Sequence, residues 1–298
     1  MLTRIISGTW YIALLAIAYL LKIIIPSGDF FVDVLIYVFS LIGTFEMLRA
    51  LKDKTTKWER GIVYVFAVIC IPIGVSMKHF LNWGSTATGV CMLALSIALL
   101  SLLVFRHDET SLESIGLSFI AAVYPTIFLM MLVVANHAQP LPMLPAFDSR
   151  ILILFIFVTV PCVDSCAYLF GKFLRKFFPQ KIAPVLSPNK TVIGCIGGVI
   201  GGLLSATALY FIYNAWVGSF DKMYIWLPVY LIIGFITAIA TEFGDLVESC
   251  VKRKLHIKDM GDIMPGHGGI LDRLDSTLFA TVAVYSVYAL IGLMVGGL

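Results

Sequence analysis

Residues 85–105 read STATGVCMLALSIALLSLLVF, a run without a single charged side chain. A bilayer core about 30 Å thick is crossed by about 20 apolar residues in a helix, so this run suffices for one crossing. Eight more stretches of the same kind flank it: 5–25, 30–48 and 61–77 before it, and 115–135, 151–170, 192–213, 225–247 and 276–296 after it. The second, sixth and eighth in chain order carry acids inside. The first reads as a retained helix, because its run is too long for a leader and is followed by Pro26 and Asp29 instead of a small-residue cleavage site. The fold class that follows is all-α: a polytopic membrane protein of about nine transmembrane helices.

Composition agrees. Of 298 residues, 60% are hydrophobic and 13% charged, whereas a soluble domain is about 45–50% apolar and about 25% charged. Mean hydropathy is +0.97. These values exclude a sizeable soluble domain, and no nucleic-acid partner is expected. None of the six cysteines has zinc-site spacing. Cys162 and Cys166 lie one helical turn apart and read as packing residues.

The basic residues set the orientation. Arg4, the cluster Arg49, Lys52, Lys54, Lys57 and Arg60, then Arg106, then Lys172, Arg175, Lys176, Lys181 and Lys190, and last Lys252, Arg253, Lys254, Lys258 and Arg273 fall on one side of a nine-helix chain. Lys22, Lys78, Arg150 and Lys222 fall on the other. Positive loops stay in the cytoplasm, so in the cell membrane the N-terminus is expected on the cytoplasmic side and the C-terminus outside.

Residues 1–150 read as apolar helices with short loops. Residues 151–298 form the denser, catalytic region, with cytoplasmic loops at 171–191 and 248–275. Gly194, Gly197, Gly198, Gly201 and Gly202 make a small-residue stripe suited to close helix packing. Glu46, in TFEMLRAL, has two readings: a site residue, or a partner for Arg49 one turn away.

Acids inside membrane helices are costly and tend to be functional. Asp164 lies late in the sixth stretch, and Glu242 and Asp245 late in the eighth. Glu242, Asp245 and Ser249 share one helix face by spacing. The plainer reading is that these acids cap helices or pair with loop lysines. The segment SCVKRKLHIKDMGDIMPGHGGILDRLD, Ser249 to Asp275, interleaves Lys252, Arg253 and Lys258 with Asp259, Asp262, Asp272 and Asp275, and sets His267 among glycines. Carboxylates suit hard cations such as Mg²⁺, and Lys, Arg and open backbone N–H groups suit phosphates. Asp272 and Asp275 are three residues apart and can face one metal from the start of the last helix, whose N-terminus is expected to favour a bound anion.

The run KRxxxxKDxGxxxPGHGGxxDRxD from Lys252 to Asp275, with Ser249 and Val251 ahead of it, resembles the signature of the phosphatidate cytidylyltransferases, or CDP-diacylglycerol synthases. DSCAYLFGK at Asp164–Lys172 and SPNKTVIGCIGG at Ser187–Gly198 are similar to two further motifs of that family. Ile193 stands where the family carries Glu, and Met264 where it carries Leu, Ile or Phe. The resemblance implies CMP transfer from CTP to phosphatidate at the cytoplasmic face, with Mg²⁺, in a helical homodimer. It further implies that Asp245, Asp259, Asp272 and Asp275 bind metal, a set large enough for a second cation. Lys252, Arg253, Lys258 and Arg273 would neutralise the triphosphate and the departing pyrophosphate. Ser187, Lys190 and Thr191 would hold a phosphate, His267 would assist the leaving group, and Asp164 would bind metal or orient the lysines.

Three other readings stay open at this point. One is a cytidylyltransferase for another lipid phosphate, of isoprenoid type. The second is a cation transporter using Glu46, Asp164, Glu242 and Asp245. The third is a catalytically inactive relative. The Asp-Gly…Ala-Arg pattern of the alcohol phosphotransferases is not found.

Overall fold

A computed structural model describes residues 2–81, 84–141, 147–217, 223–266 and 268–294. Its helices are α1 Leu2–Ile24, α2 Asp29–Ala50, α3 Lys57–Leu81, α4 Gly84–Phe105, α5 Leu112–Ala122, α6 Phe128–Asn136, α7 Ser149–Leu174, α8 Val192–Val217, α9 Met223–Lys254 and α10 Leu271–Met294. A π-helical turn, Val123–Ile127, joins α5 to α6, so these form one span. Among the described residues, nine helices are then long and apolar enough to cross a membrane, and the chain is a multi-pass membrane protein. The apolar stretches read from the sequence map onto these helices one for one.

Local chemistry starts several of them. Thr56 and Glu59 form a reciprocal box at α3: the Thr56 N–H donates to Glu59 Oε2 at 2.7 Å, and the Glu59 N–H donates to Thr56 Oγ1 at 3.3 Å. Asp148 caps α7, accepting from the N–H groups of Arg150 at 2.9 Å and Ile151 at 3.3 Å. The other end of α9 carries Lys252, Arg253 and Lys254 in its last turn, where cations complement the helix dipole. The spacing of α4 shows what surrounds the protein. Val90, Leu93, Ile97, Leu100 and Val104 recur every three or four residues and are all exposed, a face that suits lipid and not water.

The chain gathers into two compact units. The first comprises residues 1–133 and 255–273; the second comprises 134–254 and 274–298. In the first, α2 packs on the π-helical turn through hydroxyls: Ser40 Oγ lies 3.3 Å and Thr44 Oγ1 3.2 Å from Thr126 Oγ1. Pro125 sits in that turn, and a proline's missing N–H is a common cause of such a local widening. In the second unit, the glycine stripe of α8 faces two neighbours. A Cβ added at Gly201 would stand 2.7 Å from the Cys162 carbonyl of α7, and one at Gly202 would stand 2.7 Å from the Gly234 carbonyl of α9. The stripe is a packing surface, and helix backbones meet there as small residues allow.

The segment between α7 and α8 is more ordered than a plain loop. Lys181–Ala183 (β1) pairs antiparallel with Ser187–Thr191 (β2), with Lys181 opposite Thr191 and Ala183 opposite Ser187. The loop expected at 248–275 is also shorter. Helix α9 runs on to Lys254 and α10 starts at Leu271, so residues 255–270 connect them.

Candidate active site

In the second unit, β2 delivers Lys190 into a group of acids. Its Nζ lies 2.9 Å from Glu242 Oε2 and 2.9 Å from Asp245 Oδ2, both on α9, and donates to the Glu242 carbonyl at 3.1 Å. Burial acts against the Lys190 charge, but Asp245 and Glu242 outweigh it and hold the ammonium above its ordinary value of 10.5. The next residue, Thr191, is buried and takes the Gly194 N–H on its Oγ1 at 3.1 Å. Thr191 therefore caps α8 and fixes the approach of Lys190. Asp164 on α7 is exposed, and its charged neighbours are Asp275, Asp245, Glu242 and Lys190. Asp275 on α10 neighbours Asp245, Glu248 and Lys252. Glu248 is wholly buried and pairs with Lys252 at 3.3 Å. Ser249 donates to Asp245 Oδ1 at 3.4 Å, and Arg253 reaches the Leu186 carbonyl at the hairpin turn, beside Ser187.

This cluster has an excess of negative charge. Five carboxylates, of Asp164, Glu242, Asp245, Glu248 and Asp275, stand with two ammonium groups, of Lys190 and Lys252. Glu242 Oε1 is buried without a hydrogen-bond partner among the described residues. It lies against Gly198, where a Cβ would come within 2.6 Å of it. Buried carboxylate oxygens with too few cations nearby suit a hard divalent ion. Among the described residues no three Asp, Glu, His or Cys groups converge into a ready-made cage. Mg²⁺ asks for no such cage, because it is usually held by one or two carboxylates together with water and substrate phosphates. The residues present fit such an ion.

The first unit holds the other half of the expected residues. Lys258, Asp259, Asp262 and Arg273 line a cavity of about 480 Å³ together with Gly261, Met264, Gly266 and Gly268. The loop that shapes it is held by two carboxylates. Asp272 Oδ2 accepts the N–H groups of Met260 and Gly269, each at 2.8 Å. Glu46 of α2 is 1% exposed and accepts the N–H groups of Ile270 on Oε1 at 3.0 Å and Leu271 on Oε2 at 2.8 Å. Gly268 has a φ of +82°, a conformation glycine adopts freely. His267 lies outside the described residues.

Two sequence expectations are refined here. The amides that open α10 do not await a phosphate, since those of Gly269, Ile270 and Leu271 already donate to Asp272 and Glu46. Arg49 pairs with Asp262 at 3.3 Å and not with Glu46. By sequence Glu242 reads as an acid on the Asp245 face without a role in the transfer reaction, and Glu248 is not singled out. The i, i+4 spacing of Glu248 and Lys252 was a signal that could have placed the second of them.

Nine apolar helices among the described residues, an acid cluster holding a lysine, and a glycine-rich loop around a cavity lined by Lys258, Arg273 and two aspartates are the equipment of a membrane nucleotidyltransferase. Residues 2–291 match the model of the Cytidylyltransferase family, and the chain belongs to that family. Its curated relatives include a phosphatidate cytidylyltransferase of Bacillus subtilis (strain 168), 31% identical over 288 residues that cover 96% of this chain and 97% of the relative. Another, from Staphylococcus haemolyticus (strain JCSC1435), is 32% identical over 267 residues, covering 90% and 93%. A third, from Staphylococcus aureus (strain COL), is 31% identical over 268 residues, covering 90% and 93%.

Proposed function

We propose that this protein transfers CMP from CTP to phosphatidate, yielding CDP-diacylglycerol and pyrophosphate for phospholipid synthesis. The observation that carries the reading is likeness along nearly the whole chain to phosphatidate cytidylyltransferases. A nearly complete Lys252–Asp275 signature accompanies it.

In the reaction a phosphate oxygen of phosphatidate attacks the α-phosphorus of CTP. A new phosphoanhydride bond forms, the α–β bridging P–O bond breaks, and pyrophosphate leaves with the electron pair. The second pKa of such a phosphate lies near ~6, so the nucleophile is already ionised and no strong base is needed. The residues must align two polyanions and relieve their repulsion. Lys258 and Arg273 meet pyrophosphate oxygens from the cavity wall. Lys252, Arg253 and Ser187 serve the triphosphate at the hairpin side. Lys190 meets phosphate while anchored to Glu242 and Asp245, and Thr191 acts by fixing the strand that carries it. His267 hydrogen-bonds the leaving group.

Asp245 and Asp275 would hold Mg²⁺, with Asp164 beside them as a further carboxylate for a second cation. When bound, the ion neutralises charge on the phosphates as the new bond forms. Asp259 adds a carboxylate at the cavity, and Asp272 acts through the loop it holds. The bias of positive charge among the loops supports a cytoplasmic face for this chemistry, with the N-terminus on the same side. The working unit is a homodimer with no nucleic-acid partner.

The test is a panel of lipid phosphates offered with CTP to purified protein. Turnover with phosphatidate at least about tenfold above an isoprenoid phosphate, worth ~1.4 kcal/mol of barrier, supports the reading. The reverse preference overturns it.

A further inference from the structure

Loop 255–270 is rich in charge, and within it the Met264 N–H donates to the Gly268 carbonyl while Asp272 takes the N–H groups of Met260 and Gly269. Its PGHGG segment has no apolar side chain beyond Pro265. Glycines lose more conformational freedom on ordering than other residues do, so some strong contact must fix this loop. Glu46 of α2, over 200 residues distant in sequence, supplies one.

Its two carboxylate oxygens take two successive N–H groups, those of Ile270 and Leu271. These are donors at the opening of α10 that have no partner inside the helix. A carboxylate there also complements the positive end of the helix dipole. Gly261 and Gly269 both lie directly against the Glu46 carboxylate, so that a Cβ at either would collide with it. Bare backbone at Gly261 and Gly269 thus lets a side chain from α2 cap α10 from outside.

We propose that Glu46 is a positioning residue for the transfer reaction: by capping α10 it sets loop 258–273 so that Lys258, Asp259 and Arg273 face one cavity. It touches no substrate. This deepens the CMP-transfer reading and rests on it for the activity measurement alone.

Glu46→Gln is the first variant, because its amide retains one acceptor and turns an N–H donor toward a backbone N–H. Gly269→Ala is the second, pressing a methyl group on the same carboxylate without changing charge. Tyr37→Phe on α2, which removes the bond to the Val68 carbonyl, is the control. Two readouts apply to purified full-length protein: hydrogen exchange at Ile270 and Leu271, and kcat and KM for CTP and phosphatidate. Both variants are expected to speed exchange at these two amides by about tenfold or more, as the loss of a charge-assisted bond implies. Exchange in α9 and in the control should stay unchanged, and kcat should fall at least about tenfold. Unchanged exchange, or fast exchange with kcat within about twofold of wild type, overturns the proposal. A wild-type protein that makes no CDP-diacylglycerol refutes the reaction assigned above, and the exchange result still decides whether Glu46 holds the loop.

Discussion

At the scale of single residues, the molecule spends its carboxylates in two ways. Glu46, Glu59, Asp148 and Asp272 satisfy backbone N–H groups, whereas Asp164, Glu242 and Asp245 gather around Lys190 and Asp275 neighbours Lys252. The account expects Asp275→Asn to lower turnover at least about tenfold with folding intact, as read by CDP-diacylglycerol formation and by monodispersity in detergent. Lys190→Ala leaves two acids without their cation. Breaking a fully buried pair from one side costs about 3–5 kcal/mol; this pair is partly exposed, so a smaller but measurable fall in thermal midpoint is expected. Adding Glu242→Gln should recover part of the loss, and a strictly additive double mutant would contradict the pairing. The raised pKa of Lys190 fixes the sign of its pH effect. Its stabilisation is fully present below its ordinary value of 10.5 and fades as pH rises through the higher folded value. Thermal stability that Lys190 confers should therefore be flat between about pH 6 and 9. Much of this was legible in the sequence: the spacing of Glu242, Asp245 and Ser249 put them on one face. What was hidden was which carboxylates serve the backbone. That depends on which amides a distant segment presents, and nothing near TFEMLRAL encodes it.

At the scale of elements, hydropathy was enough to mark every span, because lipid demands long apolar helices with their backbone groups satisfied within. The ends were harder. α9 continues through Lys252–Lys254 because a charged last turn is stable at a helix C-terminus, although hydropathy had ended the span near 247. The β1–β2 hairpin was invisible to period counting, since SPNKT lacks a strand's alternation and Thr191 is its single β-branched residue. The glycine stripe, by contrast, read correctly as packing. Gly201→Leu should therefore force α7 and α8 apart and destabilise the protein by about 1–3 kcal/mol or more, measured as a fall in thermal midpoint in detergent. Gly89→Leu, on α4 with nothing within 4 Å of an added Cβ, should have no comparable effect.

At the scale of the whole molecule, the basic loops predict one orientation across the membrane. A phosphatase reporter that works only outside the cytoplasm should be active when inserted at residues 26–28 and inactive at 106–111. The opposite pattern would invert the topology and remove CTP from the face given to the site. The central claim is the reaction itself. It is tested most directly by incubating purified protein in detergent with CTP and phosphatidate, with and without Mg²⁺, and measuring CDP-diacylglycerol and pyrophosphate. The account predicts equal amounts of the two products, formed only when Mg²⁺ is present. Folded protein that binds CTP and yields neither product would contradict it.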